Sequence, residues 1–191
     1  MEKTHNTVHI RNMVCDRCIM AVDTALKNLG LHPLEVRLGY AVIEEEMDDK
    51  VHSMICDALE PLGFELIDDM KSRITERIRA EIISLVHYQD TDLKINLSDW
   101  LSERLGRDYS SLSKLFSDAT GTTIEKYFIA QKIEKAKELL VYGEMTLNEI
   151  ADRLGYSSAA YLSTQFKSVT GVTPSYFKKT GKNCRKPLDK V

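Results

Sequence analysis

Residues 151–177 read ADRLGYSSAAYLSTQFKSVTGVTPSYF, and an earlier stretch, residues 101–123, repeats their pattern as LSERLGRDYSSLSKLFSDATGTT. In each stretch a short helix is predicted to end in Leu-Gly. A turn and a second helix follow, with Leu and Phe four residues apart before a closing Thr-Gly. The copies are offset by 49 residues before the turn and by 50 after it. A helix, a short turn containing Gly and a second helix make a helix-turn-helix motif. The sequence therefore predicts two such motifs in one chain.

The segment between the two copies predicts one long helix. Residues 123–143 read TIEKYFIAQKIEKAKELLVYG and place Ile129, Ile133, Ala136 and Leu140 on one stripe. About 20 residues at ~1.5 Å each span ~30 Å, which is close to the ~34 Å of one turn of B-DNA. We therefore expect this helix to hold two recognition helices in successive major grooves on one face of a duplex.

The second half of the chain resembles a known family of DNA-binding domains. Residues 72–180 are similar to the DNA-binding domain of AraC/XylS-type transcriptional regulators. The resemblance is carried by A-x-x-L-G-Y-S-S-x-x-Y-L-S-x-x-F-K-x-x-x-G-x-T-P-x-x-F, from Ala151 to Phe177, after the helix KIEKAKELL. It implies a sequence-specific regulator whose partners are double-stranded DNA and the transcription machinery. By position, it implies a phosphate contact at Lys167 and base-facing residues at Ser110, Ser113, Lys114, Ala160, Ser163 and Thr164.

The chemistry of these residues differs between the two motifs. Lys114 is the one strong donor to guanine, whereas Ser and Thr hydroxyls can serve several bases. In the second motif Ala159, Ala160 and Tyr161 stand where the family often places longer polar side chains. This favours readout of thymine methyl groups or of DNA shape, with weak discrimination between bases as the alternative. The alternative for any single one of these residues is a solvated helix surface.

The net charge of the 191-residue chain is −3 and is unevenly distributed. Residues 1–70 hold 6 lysines and arginines against 14 acidic residues, a net charge of −8. Residues 71–191 hold the other 20 basic and 15 acidic residues, a net charge of +5. This swing predicts an acidic domain at residues 1–70 and a second domain at residues 71–191 that meets a polyanion.

The C-terminal tail is the most basic part of the chain. Its cationic residues are Lys178, Lys179, Lys182, Arg185 and Lys186. They predict a salt-sensitive attraction to phosphates, and the alternative is a plain solubilising end.

The acidic domain has the pattern β-α-β-β-α-β. Residues 7–12, TVHIRN, alternate as a strand does, and apolar residues then recur at helical spacing up to a Gly. Residues 34–47, LEVRLGYAVIEEEM, predict a hairpin. A second helix follows, with an apolar stripe that includes Leu62, and FELID supplies a last strand. This order is the ferredoxin-like, or split βαβ, pattern. The predicted fold class is α+β: a ferredoxin-like βαββαβ domain followed by an all-α double helix-turn-helix domain.

Residues 71–88, KSRITERIRAEIISLVHY, predict a strong helix that joins the two domains without a flexible spacer. Residues 89–96 predict a loop after this helix.

Two cysteines, Cys15 and Cys18, fall on the predicted loop between the first strand and the first helix. With Met13 they form M-x-C-x-x-C, and residues 7–68 resemble the heavy-metal-associated domains of copper chaperones and metal-pumping ATPases. The resemblance implies that the two thiolates bind a soft metal ion. Two thiolates on a loop suit Cu(I), which accepts low coordination, whereas Zn²⁺ would need two further ligands.

The position of these thiols at a helix N-terminus predicts lowered thiol pKa values, and Arg17 is expected to act in the same direction. The sequence departs from the family at Asn12, where Gly is usual. Thiol redox sensing and a structural role with unliganded thiols stay open as alternatives. Cys56 is interpreted as a small core residue and Cys184 as an unpaired thiol.

These features predict a DNA-binding transcription regulator, with the hypothesis that it senses Cu(I) or Zn²⁺ through Cys15 and Cys18. One alternative is that the first domain is an interaction or dimerisation module without metal. Another is a metal carrier with a secondary DNA-binding domain. An enzyme is not expected, because the sequence has no phosphate-cradling Gly loop or nucleophile–base set. Without a signal peptide or a membrane-spanning run, a cytoplasmic location is expected.

Overall fold

The structure is a computed structural model that describes residues 6–89, 96–180 and 186–191. Its helices and strands, in chain order, are β1 (Asn6–Arg11), α1 (Asp16–Asn28), β2 (Pro33–Arg37), β3 (Tyr40–Ile43), α2 (Asp49–Leu59), β4 (Glu65–Leu66), α3 (Met70–Ile83), α4 (Leu97–Leu105), α5 (Tyr109–Thr120), α6 (Ile124–Tyr142), α7 (Leu147–Arg153), α8 (Ala159–Thr170) and α9 (Pro174–Thr180). The chain divides into two compact units, Met1–Ala80 and Glu81–Val191.

The N-terminal unit contains a four-stranded antiparallel sheet in the order β2-β3-β1-β4. The central strand β1 pairs with β3 on one side and with β4 on the other, and β2 pairs with β3 at the edge. With α1 and α2 between the strands, the element order is the predicted β-α-β-β-α-β.

One face of the sheet carries the core of this unit. Along β1 the side chains of Val8 and Ile10 are buried, while His9 between them is only half-buried. This is the alternation that a strand covered on one face by helices requires. The strand, helix and loop side chains of this core are Val8, Ile10, Met13, Val22, Leu26, Leu31, Ala41, Ile43, Ile55, Leu59 and Phe64.

The first half of α3 belongs to the same unit and contacts the loops between its strands and helices. Arg73 Nε donates a hydrogen bond to the Ile67 carbonyl (2.9 Å), and Glu76 Oε1 accepts one from the Asn12 amide (3.4 Å). At Gly39, whose φ is +85°, a Cβ would lie 3.4 Å from the Ala80 Cβ. Residues 71–80 therefore pack against the loops that flank the sheet. The domain division after residue 70 stays a prediction.

The second helix differs from its predicted course near its end. α2 ends at Leu59 and continues as a 3-10 turn over Glu60–Leu62. Pro61 lacks the amide hydrogen that another α-helical turn needs. This change of helical phase leaves Leu62 50% exposed, so its predicted place on the buried stripe is wrong. The last predicted strand, FELID, is reduced to the two residues of β4.

The predicted joining helix is present as α3, which passes into a π-helical turn at Ser84–Tyr88. Leu85 and Val86 in that turn are buried. Of the predicted loop at 89–96, residues 90–95 lie outside the described residues.

The C-terminal unit contains the two predicted helix pairs. α4 and α5 are separated by residues 106–108, and α7 and α8 by residues 154–158. In both pairs the second helix is anchored by a Leu and a Phe with no exposed area: Leu112, Phe116, Leu162 and Phe166. The internal repeat in the sequence is therefore a repeat in structure.

The two copies also close in the same way. The Thr120 hydroxyl donates to the Phe116 carbonyl at 2.7 Å, and the Thr170 hydroxyl donates to the Phe166 carbonyl at 2.7 Å. The glycine that follows each Thr has a left-handed φ, 71° at Gly121 and 79° at Gly171. Such a φ favours glycine at the end of a helix.

The structural repeat extends one helix further than the internal repeat in the sequence. The Phe116 ring packs on Tyr127 with centroids 5.7 Å apart, and the Phe166 ring packs on Phe177 at 5.6 Å. Tyr127 lies near the start of α6 and Phe177 lies in α9, so each helix pair packs against a third helix of equivalent position.

The central helix α6 is buried on more than the single predicted stripe. Ile133, Ala136 and Leu140 are buried as predicted, and Gln131, Lys132, Glu134 and Lys137 are also less than 10% exposed. A helix contacted by α5, α7, α8 and α9 has little solvated surface in its middle. Among the described residues, no helix combines the length and apolar content needed to cross a membrane.

Candidate nucleic-acid interface

The first candidate recognition helix, α5, is positioned by its cap and its buried face. Asp108 caps the helix by accepting a hydrogen bond from the Ser111 amide at 3.0 Å. Because Leu112 and Phe116 point into the core, the opposite face is turned to solvent. On that face Ser110 and Lys114 are exposed and Ser113 is half-buried. The three predicted base-facing residues of this motif therefore lie on one helix and are accessible to solvent.

The second candidate recognition helix, α8, is built in the same way. Ser158 caps it by accepting a hydrogen bond from the Tyr161 amide at 3.1 Å. Ala160, Thr164 and Lys167 are exposed and Ser163 is half-buried. The Ala side chain at 160 leaves a low, apolar surface, with a hydroxyl next to it at Thr164.

Two of the candidate hydroxyls are held by local hydrogen bonds. Ser110 donates to Asp108 Oδ1 at 2.6 Å, and Thr164 donates to the Ala160 carbonyl at 3.0 Å. The hydrogen bonds from Ser110 and Ser111 lower the pKa of Asp108, so this carboxylate stays ionised at neutral pH. Ser110 must leave Asp108 before it can donate to a base, whereas its oxygen remains available as an acceptor.

Tyr161 and Gln165 also border the α8 face, and Gln165 is not among the residues predicted from the sequence. Tyr161 is 51% exposed, its ring meets Tyr156 edge-on at 5.7 Å, and its hydroxyl accepts a hydrogen bond from Gln165 Nε2 at 3.4 Å. The only sequence signal for Gln165 is that it is a polar residue directly after Thr164 on the same helix.

Some polar contacts made by α6 were not predicted from the sequence. The buried ion pair Lys137–Glu134 has an N–O distance of 2.6 Å. Lys132 Nζ lies 4.2 Å from the centre of the Tyr156 ring, and burial lowers the pKa of Lys132 to about 8. A lysine placed over an aromatic ring is stabilised by the ring quadrupole. This contact joins α6 to Tyr156, which lies in the turn of the second motif.

The basic tail contacts the rest of its unit through its last described residues. The Lys186 amide donates to Glu134 Oε2 at 3.1 Å, and Gln131 Nε2 donates to the Leu188 carbonyl at 3.2 Å. Lys178, Lys179 and Lys186 are exposed. The remaining predicted tail residues, Lys182, Cys184 and Arg185, lie outside the described residues.

The two loop thiols lie at the start of α1, as the sequence predicts. Cys15 is the N-cap of α1, with extended φ and ψ of −156° and 168°, and Cys18 lies in the first turn. Their sulfur atoms are 3.4 Å apart, which is far longer than the ~2.05 Å of a disulfide. Two reduced thiols in hydrogen-bonding contact explain this distance.

The electrostatics of the thiol pair differ from the prediction. Burial raises the pKa of Cys18, and the hydrogen bonds to the backbone of Val14 and Cys15 offset this only in part. The predicted lowering of the thiol pKa by the helix terminus and by Arg17 is therefore wrong for Cys18. The position of Cys18 near the N-terminus of α1 could be predicted from the sequence, but the burial of its thiol depends on how the loop folds.

Met13 of the M-x-C-x-x-C motif is a core residue, whereas Cys56 is not. Met13 is 2% exposed and belongs to the core, so its sulfur faces away from solvent. Cys56, interpreted as a core residue, is instead half-buried and borders an open cleft with Glu60 and Glu65. Among the described residues, no group of three or more His, Cys, Asp or Glu side chains is arranged to hold a metal ion.

Comparison with known proteins identifies the domain that carries the two motifs. Residues 101–180 match the family model described as "Helix-turn-helix domain". This range begins within α4 and ends at the last residue of α9, so it covers the second half of α4 and all of α5 to α9.

The curated relatives match the same half of the chain. The xylose operon regulatory protein of Escherichia coli K12 is 32% identical over 98 residues, which cover 51% of this chain and 25% of the relative. An uncharacterised helix-turn-helix-type transcriptional regulator of Staphylococcus aureus is 37% identical over 99 residues, 52% of this chain and 13% of the relative. The chain thus spans a quarter or less of these relatives' lengths.

Solved structures are also similar to this half. The C-terminal domain of AraT, a response regulator from Geobacillus stearothermophilus, is 28% identical, with a TM-score of 0.49 over 59% of this chain and 88% of that chain.

Proposed function

We propose that this chain is a sequence-specific, DNA-binding transcription regulator of the AraC type, and that α5 and α8 are its recognition helices. The observation that carries the proposal is the structural repeat. In both helix pairs the second helix has a side-chain cap at the equivalent position, a buried Leu and Phe, and a closing Thr-Gly. Each of these second helices presents an exposed polar face, and both lie in the part of the chain that matches the helix-turn-helix family model. The names of the relatives, regulators of transcription or of an operon, support the same function.

In this proposal each recognition helix enters a major groove of B-DNA. In helix-turn-helix proteins the N-terminal residues of the second helix contact base edges. These positions hold Ser110, Ser113 and Lys114 in α5 and Ala160, Ser163 and Thr164 in α8. Lys114 supplies a strong donor suited to guanine, and Ala160 offers a methyl surface suited to thymine.

The central helix is long enough to serve two neighbouring grooves. The 19 residues of α6 span about 28 Å at 1.5 Å per residue, against ~34 Å for one turn of the duplex. Lys167 and the exposed lysines of α9 are the proposed phosphate contacts, which add affinity without sequence information. A transcription regulator must reach chromosomal DNA, so the proposal implies a cytoplasmic location.

The experiment starts with the full chain and a library of random duplexes, from which bound sequences are selected. The dissociation constant of the selected site is then measured by fluorescence anisotropy at several salt concentrations. We expect Lys114→Ala to weaken the binding free energy for the selected site by about 1–3 kcal/mol and to relax selectivity at one base pair. Lys167→Ala should weaken binding to all duplexes by a similar factor. It should also reduce the slope of the logarithm of the affinity against the logarithm of the salt concentration by about 1.

The matched control is Lys50→Ala, which removes one exposed cation from α2 in the N-terminal unit. We expect this variant to bind like the original chain. The proposal fails if no sequence is enriched, or if Lys50→Ala and Lys114→Ala have equal effects on selectivity.

We further propose that the N-terminal unit is a ferredoxin-like, heavy-metal-associated-like domain whose Cys15 and Cys18 bind Cu(I) or Zn²⁺ and thereby alter DNA affinity. Support comes from the βαββαβ order and from two half-buried thiols at the head of α1. Thiolates are soft donors that suit these ions. Two sulfurs in a tetrahedral site are about 3.8 Å apart, so a sulfur separation of 3.4 Å needs only a small side-chain rotation to hold an ion.

A titration with Cu(I) and with Zn²⁺ tests this proposal, with bound metal, thiol protection and DNA affinity as readouts. Metal should protect Cys15 and Cys18 from alkylation and change the dissociation constant for the selected DNA. The Cys15→Ser/Cys18→Ser variant should lose both responses, whereas Cys184→Ser should keep them. If the double variant behaves like the original chain in metal content, DNA affinity and oligomeric state, sensing through this loop is wrong. That result would favour an interaction module.

A further inference from the structure

We propose a second metal site on the surface of the N-terminal unit, in which His52 Nδ1 and Cys56 Sγ hold one divalent ion of the zinc type and Asp68 orients the imidazole. The site lies on α2 and uses neither Cys15 nor Cys18. It therefore does not depend on the function proposed for those thiols.

The spacing of the two ligands suits a single ion. His52 and Cys56 are four residues apart on α2, so their side chains lie on the same face of the helix. Cys56 Sγ is 3.8 Å from His52 Nδ1. An ion about 2.3 Å from the sulfur and about 2.05 Å from the nitrogen would then see the two ligands at an angle of about 120°. This angle fits a three- or four-coordinate ion and disfavours linear two-coordinate Cu(I).

Asp68 completes the arrangement from outside the helix. Its Oδ1 lies 3.1 Å from His52 Nε2. With the Nε2 proton donated to this carboxylate, the lone pair of Nδ1 points toward Cys56. A carboxylate that holds the second nitrogen of a metal-binding histidine is the usual outer partner of such a ligand.

The surroundings favour a cation that can enter from solvent. The side chain of His52 is 36% exposed and that of Asp68 is 75% exposed. Cys56 borders a cleft that Glu60 and Glu65 also line. Asp68, Asp57 and Glu60 place negative charge near the Cys56 thiol. When the metal–sulfur bond forms, the thiol proton leaves to solvent and the ion offsets part of this negative charge.

The protein supplies two ligands, and water completes the coordination. Among the described residues no third His, Cys, Asp or Glu side chain joins these two in a metal-holding group, so the proposed site offers two protein ligands. A thiolate and an imidazole together suit Zn²⁺, and Co²⁺ is a spectroscopic substitute with the same ligand preference.

The test uses a full-length Cys15→Ser/Cys18→Ser/Cys184→Ser variant, in which Cys56 is the only remaining cysteine of the 4 in the chain. Co²⁺ is titrated and followed by the thiolate-to-cobalt charge-transfer band, and Zn²⁺ affinity is then measured by displacement of Co²⁺. We expect one equivalent of Co²⁺ with this band. Adding Cys56→Ser or His52→Gln should abolish it, and Asp68→Asn should weaken Zn²⁺ binding about 10–100-fold.

Asp57→Asn is the matched control, because it removes a nearby negative charge without touching His52. It should change the affinity far less than Asp68→Asn. The proposal is overturned if no thiolate band appears, if His52→Gln keeps full affinity, or if the two Asp variants are equally weakened. Circular dichroism shows whether each variant is folded, and protection of Cys56 from alkylation by Zn²⁺ in the otherwise unmodified chain is a second readout.

Discussion

Asn12 stands where Gly is usual in the family that residues 7–68 resemble, and its backbone conformation is one that Gly adopts readily. Its φ is 71°, and it is the only non-glycine residue with a positive φ in the described parts of the chain. The left-handed region is the region in which Gly is comfortable and Asn is the best tolerated of the other residues. Asn12 Nδ2 also donates a hydrogen bond to the Gly63 carbonyl at 3.0 Å. The residue thus adopts a backbone conformation that favours Gly and adds a side-chain contact that Gly would lack.

Substitution of Asn12 should separate these two contributions. Asn12→Ala should lower the free energy of unfolding by about 1–2 kcal/mol, because the Ala Cβ is strained at this φ. Asn12→Gly should cost less, since Gly accepts the φ and only the exposed hydrogen bond is lost. Urea unfolding of both variants measures the difference. Equal losses would mean that backbone strain is not the cause.

His9 predicts how the N-terminal unit responds to pH. Its Nδ1 is buried and has no hydrogen-bond partner among the described residues. Burial, followed by the charges of Arg73 and Arg77, lowers the pKa of His9 below 6.5. Below pH 6.5 the unfolded chain therefore binds a proton that the folded chain resists, so stability should be lost as pH falls from about 6.5 toward the folded pKa.

The measurement for His9 is the unfolding midpoint between pH 8 and pH 5.5. The midpoint of the original chain should fall over this range, and His9→Gln should reduce the fall, because Gln does not titrate. Parallel pH profiles for the two proteins would show that His9 is not responsible. His32→Gln is a control at a side chain that is 72% exposed.

At the scale of elements, the helix caps set where each recognition helix begins. Asp108 and Ser158 occupy equivalent positions before α5 and α8, and each accepts a hydrogen bond from an amide three residues later. A cap fixes the first turn, and the candidate base-facing residues lie in the first two turns of each helix. The caps are therefore expected to affect both stability and DNA recognition.

Removal of the Ser158 cap tests this expectation. Ser158→Ala should lower the free energy of unfolding by about 1 kcal/mol, because the Tyr161 amide loses its acceptor. Ser168→Ala is the matched control, since Ser168 is exposed within α8 and Ala is the better helix former. Denaturant unfolding of the two variants compares them, and an equal effect would show that the cap contributes nothing.

At the scale of the whole molecule, the placement of α3 decides where the first unit ends. Its residues 71–80 contact the loops of this unit through Arg73, Glu76 and Ala80. Glu76 is only 8% exposed, and burial raises its pKa. A fragment that stops before α3 would expose these contacts.

Two fragments test the extent of this unit. Residues 1–80 should unfold cooperatively at a higher temperature than residues 1–69, because only the longer fragment keeps the first half of α3. Thermal unfolding followed by circular dichroism measures both. A lower or equal midpoint for residues 1–80 would support the boundary predicted after residue 70.

Much of the architecture could be predicted from short-range patterns. The repeat around Leu112/Phe116 and Leu162/Phe166 requires only that the same local sequence folds twice, and the alternation in β1 requires only a sheet covered on one face. Differences appear where a local signal competes with its surroundings. Pro61 ends the α-helical course before Leu62, and the burial of Cys18 outweighs the helix terminus. The candidate base-facing residues and the metal proposals remain predictions, since exposure alone does not show what binds.

The sequence by itself determined the two helix pairs, the long central helix, the βαββαβ order and the position of Cys15 and Cys18, because periodicity, caps and turn residues act over a few neighbouring positions. Only the tertiary structure decided that α6 buries charged residues, that the start of α3 packs with the first unit, and that His52, Cys56 and Asp68 meet. His52 and Asp68 are 16 residues apart, and the chain between them passes through the end of α2 and through β4. Contacts of this kind depend on how elements pack, which local patterns do not specify.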